Sequence, residues 1–385
     1  MFWKYTQFET KLLLRNRKSW FIAVFLLLFF LIYFAYYSQV EPLTLIEQKR
    51  LEKDEMNVIF ENVEYILDDV PEVAAIHENL LKQSSLINFQ VYYLGIGDDS
   101  KQYIENGLEL NQLRLKVHEL GNKGIPEHLV KPKSEILKED ALLHYIKENN
   151  LPIEEGSFVT NHYFVNALKT MSVLLILVIL ISGNELLLSE KRHLSVVKGF
   201  PLSFLKKITS KVFVHFVYVY SFLILGFLIG GFYLIKKLEV TDFSFPILIY
   251  QNGTYTSIST WQYLFYMFMG MAIVTVLLLY FSILLNMLFH NAFANILVGL
   301  GLFALPDLIM TTGLKLNFLN SIKYIDISNV LSGNLASQTG NLSIDYWHTF
   351  SWLLIMIILI FCVIAVINRF MYFRKPKEFP LVKPF

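Results

Sequence analysis

The sequence predicts an all-α polytopic membrane protein, with six transmembrane helices and a mainly helical extracellular domain between the first two. Two observations carry this reading. Several runs of about 18 or more residues hold no charged side chain, the length of a bilayer crossing and too long for an ordinary core helix. Of the 385 residues, 55% are hydrophobic and 17% charged, and the mean hydropathy is +0.48, on the apolar side of soluble domains. The second observation is charge segregation. About 23 of the 32 acidic residues lie between Glu41 and Glu155, against about 12 of the 33 basic ones. The remaining Lys and Arg gather beside the apolar runs, which sets a membrane topology and argues against nucleic acid as a partner.

Residues 1–18 read as a cytoplasmic amphipathic helix. Lys4, Lys11, Arg15, Arg17 and Lys18 are interleaved with Trp3, Tyr5, Phe8 and Leu12 to Leu14, a pattern suited to the membrane interface. Residues 19–37 form the first span. Its apolar core is too long for a signal peptide, and Tyr36-Tyr37-Ser38-Gln39 offers no small-residue cleavage site.

Residues 38–161 form the acidic extracellular domain. Helical spacing marks Leu45–Leu67, with Leu51, Val58, Phe60, Val63, Ile66 and Leu67 as its apolar residues, then Val73–Leu81, Gln102–Leu120 and Ser134–Glu148. Phe89–Ile96 reads as a strand before a Gly97-Asp98-Asp99 turn.

Five spans follow within 162–368, at Tyr163–Leu187, Val212–Ile235, Trp261–Leu285, Ala292–Thr312 and Trp347–Ile367. Phe243–Tyr250 and Leu314–Leu335 are apolar for external loops and read as re-entrant or interface helices. Basic residues cluster at the amino terminus, between spans two and three (Lys191 to Lys211), and in the tail 369–385. The positive-inside rule places these in the cytoplasm, so both termini are cytoplasmic in the cell membrane; Lys236 and Lys237 run against it. Trp20, Trp261, Trp347 and Trp352 fall near span ends, as an aromatic belt would.

The segment 188–211 is the most informative. Glu190, Arg192 and Lys198 give it charge, Pro201 breaks its helix, and Ser203 is placed to cap the next one. Phe200, Leu202 and Phe204 are apolar residues in a loop between spans, which suits docking into a cleft of a soluble partner. This run resembles the coupling segment of type-2 ABC exporter permeases, through Glu190-Lys191-Arg192, Pro201-Leu202-Ser203 and Lys211. The layout resembles the subgroup with a large extracellular domain after the first span. His193-Leu194 departs from the Gly-Thr often found there. The resemblance implies a permease subunit that pairs with a second copy or a homologous permease. It docks a separate ABC ATPase, which binds the ATP and Mg.

Other residues carry sharper or blander readings. Gly226 and Gly230 form a Gly-x-x-x-Gly pair that lets another helix approach closely, within the subunit or across a dimer. Asp307 follows Pro306, which is expected to break the fifth span and leave Asp307 in an external turn, with an intramembrane polar site as the alternative. Lys169 is expected to snorkel, and His215 to pack. No Walker A phosphate cradle occurs in the sequence. His118-Glu119 and His128 are ten residues apart rather than the four a helical zinc pair needs, so no metal or cofactor is expected on this chain. The single Cys362 excludes an intrachain disulfide.

Two rivals stand beside the exporter. One is a membrane-anchored sensor or immunity protein that binds a ligand through its extracellular domain. The other is a membrane enzyme, disfavoured because no Ser/His/Asp, paired-Asp or His-Glu set shares a depth in the spans. An amphipathic cargo, such as a peptide, lipid or hydrophobic drug, suits spans rich in Phe and Tyr.

Overall fold

The computed structural model describes residues 1–39, 43–66, 73–97, 99–153, 155–187, 199–238, 243–289, 291–311 and 317–373. The chain opens with α1 (Phe2–Arg15), which buries Tyr5, Glu9 and Leu13 at helical spacing. Asn16 separates it from α2 (Arg17–Tyr37) and caps that helix, its side chain accepting from the Lys18 amide at 3.0 Å.

Four helices follow: α3 (Leu45–Ile66), α4 (Val73–Tyr92), α5 (Ser100–Glu119) and α6 (Lys133–Glu148). Two of the sequence expectations fail here. Phe89–Ile96 is not a strand: α4 runs through Tyr92 and closes on one π-helical turn, Tyr93–Gly97. The buried positions Val73, Ile76, Leu80, Gln83, Ile87 and Gln90 recur every three or four residues, which outweighs the local β-like composition. Gln90, fully buried, donates through Nε2 to the Tyr103 carbonyl at 3.3 Å and so fixes α4 to α5. The inward face of α3 also differs from its apolar pattern. Leu51 and Val58 are exposed, while Lys49, Met56, Ile59 and Val63 point inward. Helices α3–α6 line most of an open cavity of about 810 Å³, to which His162 of α7 and Leu248 of β1 also contribute.

The chain then enters the apolar bundle through α7 (Glu155–Gly183) and the 35-residue α8 (Phe204–Leu238). Because α8 starts at Phe204, the last eight residues of the 188–211 loop are its first turns rather than loop. Pro246–Gln251 (β1) and Thr254–Ser259 (β2) pair antiparallel, Pro246 against Ser259 and Gln251 against Thr254. This overturns the helical reading of Phe243–Tyr250. Asn252 and Gly253 have φ of 51° and 81°, the positive values a two-residue type I′ turn demands. The hairpin rests on α6, where the Ser257 hydroxyl donates to the Ala141 carbonyl at 3.0 Å.

Next come α9 (Thr260–Phe289) and α10 (Ala292–Thr311). Pro306 lies inside α10, so the expected break does not occur and the Asp307 backbone is helical. Pro306 removes only one backbone bond, and its ring is buried in neighbouring protein, the setting in which bundles tolerate it. A 3₁₀ segment (Asn317–Ile325), α11 (Ile327–Leu331) and α12 (Asn334–Thr339) cover one end of the bundle, and α13 (Tyr346–Phe373) closes the chain.

Among the described residues, five helices are long and apolar enough to cross a membrane: α2, α7, α8, α9 and α13. The shorter apolar stretch of α10, Ala292–Pro306, packs beside α7 and α9. Contacts give the directions. Ser19 meets Tyr218 and Phe34 meets Tyr233, so α2 and α8 run parallel. Tyr266 stacks on Tyr346 and Tyr280 meets Phe361, so α9 and α13 are parallel too. Gly183 approaches Ser282 near the far ends of α7 and α9. The set α2, α8 and α10 therefore opposes α7, α9 and α13, and α1 lies at the same end as the close of α13. Trp20, Trp261, Trp347 and Trp352 are all exposed on the bundle surface.

Candidate functional site

The segment 199–211 folds back onto α1. Pro201 and Ser203 are exposed, and Phe200 and Leu202 are half-buried. The Leu202 amide donates to the Phe200 carbonyl at 2.8 Å, making a tight bend. The Lys207 amide donates to the Ser203 carbonyl at 3.1 Å, which puts Ser203 at the N-cap of α8. Phe204, the first helical residue, packs on the bundle core. The Phe200 ring sits edge-on to Tyr5 at 5.3 Å and tilted against Phe8 at 5.6 Å. Such aromatic pairs add to the gain from burying their area.

One turn further on, the contact becomes polar. The hydroxyls of Thr6 and Ser210 hydrogen-bond at 2.8 Å, buried. Lys211 Nζ lies 2.9 Å from Glu9 Oε1, the two side chains 1% and 8% exposed. A buried ion pair contributes little net stability but tolerates no loss of one partner, so it acts as a register pin. Tyr5, Thr6, Phe8 and Glu9 thus match Phe200, Lys207, Ser210 and Lys211 along one face. The sequence reading missed Glu9. The available signal was its place as the sole acid among the basic residues of 1–18, one turn after Tyr5.

Behind this junction lies a polar layer. Lys18 hydrogen-bonds Asn184. Asn286 Nδ2 donates to the Gly183 carbonyl at 3.1 Å, and Asn295 Nδ2 to the Asn184 carbonyl at 3.2 Å. His215 is hydrogen-bonded to the Ser182 hydroxyl at 2.8 Å. These bonds join α2, α7, α8, α9 and α10 at the α1 end.

Gly226 and Gly230 face α2 within the same chain. A Cβ on Gly226 would stand 2.1 Å from the Leu26 carbonyl oxygen, and one on Gly230 would stand 2.5 Å from Phe30 Cβ. Tyr218 and Tyr163 donate from their hydroxyls to the Ser19 and Phe30 carbonyls, both at 2.8 Å, and hold α2 in place. Lys169 is exposed on α7. Glu190, Arg192, Lys198 and the Asp307 side chain lie outside the described residues.

Comparison with family models, with curated proteins and with solved structures found no match to this chain.

Proposed function

We propose that the chain is the membrane-spanning permease subunit of an ATP-driven exporter of the type-2 class. The observation that supports this most is the junction of α1 with the start of α8. Residues 199–203 form a short apex that continues without interruption into α8, and α1 is pinned to the first turns of that helix through Phe200, Ser210 and Lys211. A force applied to the apex by a docked ATPase moves α1 and α8 together, and α2 follows because Gly226 and Gly230 seat it against α8. Two ATPase chains with ATP and Mg act from the cytoplasm, and a second permease completes the path for an amphipathic cargo. In this reading α10 is the sixth span, and both termini are cytoplasmic. Helices α3–α6 are then extracellular.

Two measurements test this reading. In a Cys362→Ser background, Glu109→Cys should react with an impermeant thiol reagent in intact cells, and Lys206→Cys should react only after lysis. Reaction of Lys206→Cys in intact cells inverts the topology. The second measurement is co-purification. The chain should carry a Walker A-containing ATPase in equal amount. Phe200→Asp with Leu202→Asp should abolish that association while leaving the α3–α6 unit folded, because neither side chain reaches it. Full ATPase recovery and transport by the double variant would remove the coupling role.

The cavity within α3–α6 favours a second reading, a membrane-anchored sensor or immunity protein that binds a ligand there. Failure of any ATPase to co-purify with the unaltered chain would favour it.

A further inference from the structure

The cavity between α3, α4, α5 and α6 has a lining of two kinds, apolar and charged. Its volume of about 810 Å³ falls within the range of small-molecule sites. Met56, Leu80, Val117 and Ile136 make an apolar wall. Five charged groups line the cavity as well. Lys49 Nζ lies 2.8 Å from both Glu52 and Glu139. Lys131 Nζ lies 3.3 Å from Glu52 and 2.6 Å from Glu139. Arg114 Nη1 lies 3.2 Å from Glu139, and Nη2 contacts Glu52. Two carboxylates therefore serve three cations.

Glu52, Glu139 and Lys49 are each held toward the charged form by their neighbours. Burial opposes ionisation of Glu52, but Lys49 and Arg114 outweigh it and lower its pKa to about 2. Burial is likewise overcome at Glu139 by Lys49, Lys131 and Arg114, which hold its carboxyl well below the usual range. Burial also opposes the Lys49 charge, and Glu139, Tyr103 and Glu52 overcome it and raise its pKa. The cluster keeps one surplus positive charge, and excess charge in a partly desolvated place is unfavourable until an anion joins it. Glu55 and Glu135 also border the cavity but are exposed, where water and salt screen them. Lys49 and Arg114 are 6% and 8% exposed, whereas Lys131 is 31% exposed. Lys131 is thus the cation with room for a further partner.

We propose that this cavity binds a small amphiphile with one anionic head group, a carboxylate or a phosphate. The head group sits on Lys131, and the alkyl chain lies along Met56, Leu80, Val117 and Ile136. The site is independent of the exporter reading, since α3–α6 and the loop carrying Lys131 supply the residues named here, with only His162 of α7 and Leu248 of β1 adding to the lining, and its binding needs no ATPase.

The test uses the full chain in lipid nanodiscs, with Cys362→Ser and Glu135→Cys carrying an environment-sensitive fluorophore at the cavity rim, and empty nanodiscs as background. Octanoate, octyl phosphate, octanol, acetate and inorganic phosphate are titrated. At least one of octanoate and octyl phosphate should saturate the signal at a Kd about tenfold or more below that of octanol, the usual size of a hydrogen bond to a charged group. The tighter of the two identifies the head group. Acetate and inorganic phosphate, which lack the chain, should not saturate over the same range. Lys131→Gln should weaken the anionic amphiphile about tenfold and leave octanol unchanged, while Lys131→Arg should retain binding. Equal affinity for octanol and both anionic amphiphiles overturns the proposal, and this comparison needs no Lys131 variant. An unchanged Kd in Lys131→Gln overturns it as well, as does saturation by acetate or phosphate at the same concentrations.

Discussion

Glu9→Leu is expected to destabilise the chain by about 3–5 kcal/mol, the usual effect of removing one partner from a buried ion pair. Lys211 is 1% exposed, and the Glu9 carboxylate 2.9 Å away is a counter-charge that α1 supplies to it. Water does not reach the ammonium to replace that carboxylate. The effect should show as a lower thermal midpoint in detergent and as loss of the α1 contact. Replacing both partners, Glu9→Leu with Lys211→Met, should recover most of the stability, because the pair contributes more to register than to net energy. The double-mutant cycle isolates the coupling between the two sites. A Glu9→Leu chain that melts with the unaltered protein would mean that α1 does not pack on α8 through this pair. A double variant that melts like Glu9→Leu would mean that the loss comes from packing rather than from charge.

Gly226→Ala should be the most damaging single-methyl change in the bundle. The added Cβ would fall 2.1 Å from the Leu26 carbonyl oxygen and 3.0 Å from Leu27 Cα. Both obstacles are backbone, so no rotamer change relieves them, and α2 and α8 must separate. Overpacking of this kind costs about 3 kcal/mol. Separation would also lengthen the Tyr218 to Ser19 bond on the same interface. Gly301→Ala is the control, because nothing lies within 4 Å of its Cβ position, and it should stay within about 0.5 kcal/mol of the unaltered chain. The yield of monodisperse protein and its thermal midpoint measure both. Equal behaviour of the two variants would show that α2 and α8 do not meet at Gly226.

The amino-acid sequence by itself marked the apolar cores of α2, α7, α8, α9 and α13, though not where α7 and α8 begin. Those cores are written in continuous runs, and a run needs no partner to be recognised. It also located α1, α3, α5 and α6 within a few residues, since helical periodicity is a local pattern. The Asn252-Gly253 turn signal went unread, and the apolar residues before it drew a helical reading that the hairpin overturns. Tertiary structure decided the rest. Whether Leu51 or Lys49 faces inward on α3 depends on Glu139 and Arg114, which lie far along the chain and supply the compensating charges. Gly226 and Gly230 advertise a close approach, but only the packed bundle shows that the approaching helix is α2 of the same chain. Glu9 and Lys211 stand about 200 residues apart, and an ion pair across that separation leaves no local pattern. Local signals set where backbone hydrogen bonds close into helices. The partners of buried charges and glycines are set by which surfaces those helices press together, and that is a property of the assembled fold.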